Sequence, residues 1–250
     1  TNLAAEYVVR ATPDGYTLLF VGAPNAINPA LYAKLNFDFV RDIAPVAAIA
    51  SVPMVLIVHP SVPATTIPEF IAYARANPKQ VNMASSGVGT TPHLAGELFR
   101  MMASVDIQHV PYRGAAPAMT DLIAGQVQCY FSTTPSCIEH IRGGRVRGLA
   151  VTTASRLDAV PDLPTIGEFI KGYEATAWYG VGAPRQTPQP IVDKLNREIN
   201  AVLAEPRMKA RFDDLGCVLI AGSPGEFGKL IAEETEKWGK VVKFSGARAE

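Results

Sequence analysis

Short apolar runs alternate with amphipathic ones along almost the whole chain, and in the middle three apolar runs each pass through a turn into a proline-started amphipathic run. Apolar runs bounded by turn residues read as buried strands, and apolar residues at three- and four-residue spacing read as helices. Their alternation predicts an α/β protein with mostly parallel sheets. The predicted strands are Tyr16–Gly22, Pro53–His59, Val81–Ala84, Ile107–Val110, Gln128–Ser132, Arg147–Thr152, Ala175–Ala183 and a short Cys217–Ile220. The predicted helices are Ile67–Ala76, Pro92–Ala103, Ala116–Ala124, Pro135–Ile141, Pro190–Ala204, Pro206–Leu215 with Gly216 as its stop, and Pro224–Phe244. The proline-containing stretch Arg156–Pro164 reads as a connecting loop.

The block from Val52 to Lys171 carries enough strands and helices for one complete sheet, whereas residues 1–51 are too few for a domain. They must pair with the C-terminal third. The expectation is therefore a discontinuous lobe 1, residues 1–51 plus 172–250, and a continuous lobe 2, residues 52–171. Two lobes joined by paired crossings, near Ser51 and Lys171, make a cleft that can close.

Composition removes several function classes. At 250 residues and 48% hydrophobic the chain can bury a sizeable core. Its 23 basic and 23 acidic residues cancel, and nucleic-acid binders show a basic excess. The densest basic cluster, Arg142, Arg145 and Arg147, is diluted by glycines and reads as a solvated turn. Cys129, Cys137 and Cys217 are too scattered for a disulfide scaffold or a metal site and read as small core residues. The longest apolar stretch, Ile43–Val58, is broken by Pro45, Ser51 and Pro53 and is shorter than the roughly 18 residues that span a bilayer. No basic start followed by an apolar run marks an export signal. A soluble monomer is expected.

The chemistry concentrates where the middle helices begin. One apolar run leads into Ser85-Ser86-Gly87-Val88-Gly89-Thr90-Thr91 before Pro92. A second leads into Pro111-Tyr112-Arg113-Gly114 before Pro117, and a third into Thr133-Thr134 before Pro135. In a parallel sheet such turns lie at the strands' carboxyl ends and can face one crevice. Helix starts expose backbone N–H groups and a partial positive charge, which suit a carboxylate or phosphate. Gly87, Gly89 and Gly114 permit close approach, the hydroxyls add donors, and none of the turns holds Asp or Glu. Ser/Thr before Pro is also simply a good helix start, so an anion site and plain capping both fit. The Ser86–Gly89 segment lacks the Gly-Lys-Ser/Thr ending of a P-loop and the GxGxxG of a nucleotide fold. His93 and Glu97 have the spacing of a metal pair, but no HExxH or third ligand accompanies them. A hydrogen-bonded or cleft-lining His93 is read instead, with no metal and no cofactor. No nucleophile, base and orienting acid can be assembled from spacing. Asn25 and Asn28 follow the first strand: Asn28, before a proline, reads as structural, and Asn25 stands between turn former and cleft amide.

The same segments resemble the periplasmic solute receptors of tripartite tricarboxylate transporters, the TctC or Bug family. The resemblance is carried by Ala11–Leu19 (ATPDGYTLL), Ile27–Tyr32 (INPALY), Ser85–Leu98 (SSGVGTTPHLAGEL), His109–Gly114 (HVPYRG) and Asp121–Val127 (DLIAGQV). Leu149–Thr152, Pro161–Thr165 and Ala183-Pro184 leading to Ile191–Asn196 continue it to the C-terminal third. It implies a two-lobed, type II periplasmic-binding-protein (Venus flytrap) fold. Such a receptor captures a small organic anion, a di- or tricarboxylate, between its lobes and delivers it to membrane permease subunits. It implies a periplasmic location and no catalysis. It places Ser85, Ser86, Gly87, Gly89, Thr90, Thr91, His93, Tyr112, Arg113 and Gly114 along one wall, with Thr133 and Thr134 beside them and Asn25 reaching from the other lobe. The family pattern opens with a strand and loop, P-F-x-x-G-G-x-x-D, that forms half of the carboxylate clamp. This sequence starts at Thr1-Asn2-Leu3, where the family is already in the following helix. The expected lobe 1 therefore lacks its first strand, that Gly-rich loop and the export signal. Two other classes stay open at this point. One is the effector-sensing domain of a LysR-type regulator, for which no helix-turn-helix is seen. The other is a cleft enzyme using His93 or His109 as a base.

Overall fold

A computed structural model describes residues 2–248. The chain opens with α1 (Asn2–Val9), β1 (Leu19–Gly22), α2 (Ala23–Leu31) and α3 (Phe39–Asp42), then enters β2 (Ile43–Val58). Strand β1 starts three residues later than the apolar pattern suggests. The Asp14 carboxylate accepts the Tyr16 N–H at 3.0 Å and Gly15 holds φ +87°, so a turn occupies the predicted strand start and leaves Tyr16 exposed. Helix α2 was unexpected, because its two prolines signal a turn. Pro24 sits in the first turn, where no N–H is needed, and Pro29 forfeits only its own bond, while the Tyr32 N–H still closes the helix on the Asn28 carbonyl at 3.0 Å. Strand β2 runs unbroken for 16 residues through Pro45, Ser51 and Pro53. Pro53 falls where the partners change, between Ala50 and Ser51 paired to one strand and Met54–Val58 paired to another.

The chain divides into two compact units, Thr1–Ser51 with Trp178–Glu250, and Val52–Ala177. The second unit continues through α4 (Ile67–Ala76), β3 (Asn82–Ser85), α5 (Thr91–Ala103), β4 (Gln108–Pro111), α6 (Ala115–Ile123), β5 (Cys129–Thr133), α7 (Thr134–Arg142) and β6 (Arg147–Val151). Its strand order is β6-β2-β5-β3-β4. Strand β3 is parallel to β4 and β5, and β2 is antiparallel to both β5 and β6, so four strands share one direction around an opposed β2. Helix α4 is started by a reciprocal cap, Thr66 with Glu69. Alternation along β3 sends Met83 to one face and Ala84 to the other. Met83 lies against α5, where a Cβ on Gly96 would come within 2.0 Å of its Sδ. Phe99 of α5 fills that face with Phe70, Phe131 and Tyr173. Ala84 belongs to the other core, with Ala118, Met119 and Leu122 of α6 and Cys137 and Ile138 of α7.

The chain then returns through β7 (Thr176–Pro184), α8 (Gln189–Leu203), α9 (Pro206–Asp214), β8 (Val218–Leu219) and α10 (Pro224–Ser245). In the first unit the order is β1-β7-β2, with β8 also on β2, and the β1–β7 and β2–β8 ladders are antiparallel. The expectation of mostly parallel sheets therefore fails here. These pairs join segments far apart in sequence, and no crossover helix imposes the parallel sense. Helix α10 opens on a Ser223–Glu226 capping box and packs along α2. Its Glu234, 8% exposed, accepts the indole N–H of Trp178 at 3.1 Å and of Trp238 at 2.6 Å. All three cysteines are buried, and burial pushes the Cys137 thiol up to about 12 and Cys129 higher still. Among the described residues no helix is long and apolar enough to cross a membrane.

Candidate functional site

Strands β3 and β4 lie side by side and parallel, yet the helices that follow them cover opposite faces of the sheet. That divergence is a topological switch point, the place where an open α/β sheet leaves a crevice beyond the carboxyl ends of its strands. The turn after β3 and the turn after β4 meet there. The Tyr112 N–H donates to the Ser85 carbonyl at 3.0 Å and the Gly114 N–H to the Ser86 carbonyl at 3.2 Å. The Ser86 hydroxyl hydrogen-bonds the Tyr130 hydroxyl of β5 at 2.8 Å, tying in the strand that leads to Thr133 and Thr134. All the sequence-predicted site residues except Asn25 are in this unit.

The first turn is a folded loop rather than an open one. Gly87 and Gly89 hold φ +131° and +74°, which side-chain-bearing residues rarely adopt. A Cβ on Gly87 would also press to 3.3 Å from the Tyr112 carbonyl. The Gly87 N–H donates to the fully buried Ser85 hydroxyl at 3.1 Å, and that hydroxyl lies 2.6 Å from His109 Nε2. The Gly89 N–H donates to His93 Nδ1 at 3.2 Å. Thr90, the residue before α5, donates both its N–H and its hydroxyl to the Gly87 carbonyl.

Beneath this loop the His93 and His109 rings stack, centroids 3.9 Å apart and planes 18° from parallel. Burial pushes His93 down to about 3, with the His109 and Arg100 charges adding to the effect. Burial likewise pushes His109 down to about 4, again helped by Arg100. Both rings are neutral at pH 7. Since His93 accepts through Nδ1, its proton sits on Nε2, 3.8 Å from Glu97 Oε1. Glu97 is itself buried and is held by Arg100, whose Nη1 donates to both carboxylate oxygens at 2.9 and 2.7 Å. Ser85 beside His109 is a hydroxyl–imidazole pair in appearance only. The hydroxyl is fully buried, and His109 gives up its proton too readily to serve as a base near neutrality. Among the described residues no three His, Cys, Asp or Glu side chains gather as a metal site requires.

Helices α5, α6 and α7 begin at Thr90, Gly114 and Thr133, none of which caps with its side chain, and none of the three first turns holds an acid. Thr133 spends its hydroxyl on Ser136 at 3.0 Å, while Thr91 and Thr134 are buried at the first helical positions. Gly114 holds φ +112° with open space where a Cβ would stand. Arg113 is exposed, without a hydrogen-bond or ion-pair partner among the described residues. Tyr112 donates its hydroxyl to Asp121 at 2.7 Å, and burial together with that carboxylate pushes the phenol up to about 12. Asn25 belongs to the first unit, where its side chain accepts the Gly22 N–H at 3.0 Å and closes the first turn of α2. Sequence reasoning missed Tyr130 and Asp121, which brace the turns from behind. Their only signal was a phenol inside an apolar strand and an acid nine residues beyond Tyr112.

Comparison with known proteins agrees with this architecture. Residues 1–247 match the tripartite tricarboxylate transporter family receptor, TctC. A Pseudomonas sp. protein from a tcbD-tcbE intergenic region is 36% identical over 242 residues, covering 96% of this chain and 72% of that protein. Protein BugT of Bordetella pertussis is 32% identical over 251 residues, covering 98% and 76%. Among solved structures, an R. palustris protein determined with adipate superposes with a TM-score of 0.90 at 37% identity, covering 99% of this chain and 83% of that one. MatC from Rhodopseudomonas palustris, with bound malate, gives 0.85 at 31% identity, covering 96% and 84%. The α/β fold is that of periplasmic binding proteins, and the chain belongs to the tripartite tricarboxylate transporter receptor family, TctC, whose members are solute receptors and not enzymes.

Proposed function

We propose that this receptor holds a small di- or tricarboxylate against the carboxyl edge of the β5-β3-β4 sheet, in the periplasm, for hand-over to the permease subunits of a tripartite transporter. The observation that carries the reading is the convergence there of α5, α6 and α7, each with an acid-free first turn and no side-chain cap. Helix starts of this kind carry unsatisfied N–H groups and about half a positive charge each, so a carboxylate is neutralised largely by backbone dipoles. Arg113 supplies the one full charge in these turns. On this reading Ser86, Gly87, Gly89, Thr90, Tyr112, Arg113 and Gly114 form the wall, with Thr133 and Thr134 at its far end. The adipate and malate seen in the two relatives belong to the same ligand class.

A thermal-shift screen tests it, using adipate, malate, citrate, acetate and phosphate. One class of polycarboxylate should raise the melting temperature saturably, by roughly 5–10 °C at a hundred times its Kd. No shift with any of them at millimolar concentration would overturn the reading. A shift with acetate or phosphate alone would overturn the polycarboxylate assignment.

A further inference from the structure

The wall described above has an unusual backing. Both ends of the Ser85–Gly89 loop are held by imidazoles, and those imidazoles lie on each other. His109 of β4 reaches the first residue of the loop through the Ser85 hydroxyl, which in turn takes the Gly87 N–H. His93 of α5 reaches the last residue by accepting the Gly89 N–H. The rings stack at 3.9 Å, so a shift of either would move its neighbour. His93 is 3% exposed and Glu97 1%, which leaves His93 little room to rearrange.

We propose that His93 and His109 are positioning residues for anion binding: the stacked pair sets the shape of the Ser85–Gly89 loop from behind and thereby aims its remaining N–H donors at the ligand. The bookkeeping of the loop supports this. The carbonyls of Ser85, Ser86 and Gly87 accept the N–H groups of Tyr112, Gly114 and Thr90, so the loop's first three acceptors are spent. The N–H groups of Gly87 and Gly89 are spent as well, on Ser85 and His93. Among the described residues the N–H groups of Ser86 and Val88 have no protein acceptor, and Val88 is exposed at the loop tip. Left over in the loop are the Ser86 and Val88 N–H groups together with the Val88 and Gly89 carbonyls, and the two donors are what an oxyanion would take up. The assignment rests on the carboxylate-binding reading above and gives the histidines a task distinct from touching the ligand.

The test uses the whole chain with adipate as probe, titrated calorimetrically at neutral pH. His93→Asn keeps an acceptor near the Nδ1 position, and His109→Gln keeps a hydrogen-bonding atom near Nε2. His93→Leu and His109→Leu keep bulk and remove the bond. Exchange of the Gly89 amide, followed by 15N-resolved NMR without ligand, reports the loop directly. The leucine variants are expected to melt cooperatively, with His93→Leu losing Gly89 protection and each binding adipate about tenfold more weakly. The amide variants should stay within about threefold of the parent, with Gly89 still protected. Equal affinity of His93→Leu and the parent would overturn the assignment, as would a tenfold loss in His93→Asn with Gly89 protection intact. If a leucine variant does not fold, that asparagine comparison and its glutamine counterpart decide. If the parent binds another acid of the screen and not adipate, that acid is the probe and the same outcomes decide. If the parent binds no acid at all, the functional reading fails, and Gly89 exchange in His93→Leu alone decides: unchanged protection overturns the positioning role.

Discussion

Arg113 projects from the turn after β4 into solvent with no partner among the described residues, while every nearby acid is occupied or buried. An unpaired exposed guanidinium beside three helix starts attracts an anion at long range. Arg113→Ala should therefore weaken carboxylate binding by about 1 kcal/mol at low ionic strength, with the loss shrinking at high salt. Calorimetric titration at two salt concentrations checks this, and a salt-independent loss would mean a buried contact instead. The neighbourhood of this site was legible from the sequence, because Ser, Thr and Gly ahead of a proline announce a helix start. Which atoms are spent inside the loop was not. That depends on Ser85 meeting a histidine 24 residues away and on Gly89 meeting one on the next helical turn.

At the scale of elements, α10 is fastened to β7 by Phe227, which packs edge-on against Trp178, and by one buried carboxylate. Glu234 answers two buried indoles, Trp178 of β7 and Trp238 of its own helix. Glu234→Ala strands both N–H groups and is expected to cost about 3 kcal/mol, whereas Glu234→Gln keeps an acceptor and should cost clearly less. Urea denaturation of the two variants measures the difference, and equal losses would assign the effect to packing. Most helices and strands of the second unit were readable to within a residue or two, since each carries its own apolar period and its own stop. The failures have local causes. A turn at Asp14-Gly15 overrides the apolar pattern of Tyr16–Leu18, and α2 forms through prolines that normally end a helix. In β2 the sequence shows breaks that the strand absorbs, and Pro53 does so by falling in the gap between the Ala50–Ser51 and Met54–Val58 pairings, where neither ladder uses its missing N–H.

For the whole molecule the stacked histidines also set an acid limit. Unfolded, each takes up a proton as pH falls below 6.5, whereas folded they do so only near 3 and 4. The unfolded chain thus binds more protons throughout that window, and stability must fall as pH falls. Carboxylates held low by hydrogen bonds, Asp42 at about 2 and Glu69 and Glu226 below their ordinary range, add their own loss only below about pH 4.5. Between pH 7 and pH 5 His140, lowered by burial, adds to this drop and Glu97, raised by burial, offsets part of it. The stacked pair supplies most of the loss, which should reach about 3 kcal/mol in urea denaturation. A His93→Asn, His109→Gln double variant should flatten that part of the profile, and an unchanged slope would contradict it.

The buried thiols have a consequence for handling as well as for folding. At a pKa near 12, on the order of one Cys137 in a hundred thousand is a thiolate at pH 7, and Cys129 ionises less still. Oxidants and maleimides act on thiolates they can reach, so these two sulfurs are chemically mute, and Cys217 is shielded by its burial. The native chain thus offers a dark background for labelling. One cysteine introduced at Val88, exposed on the loop that the histidines hold, would carry a dye to the rim of the proposed anion wall, where ligand capture would give an optical signal.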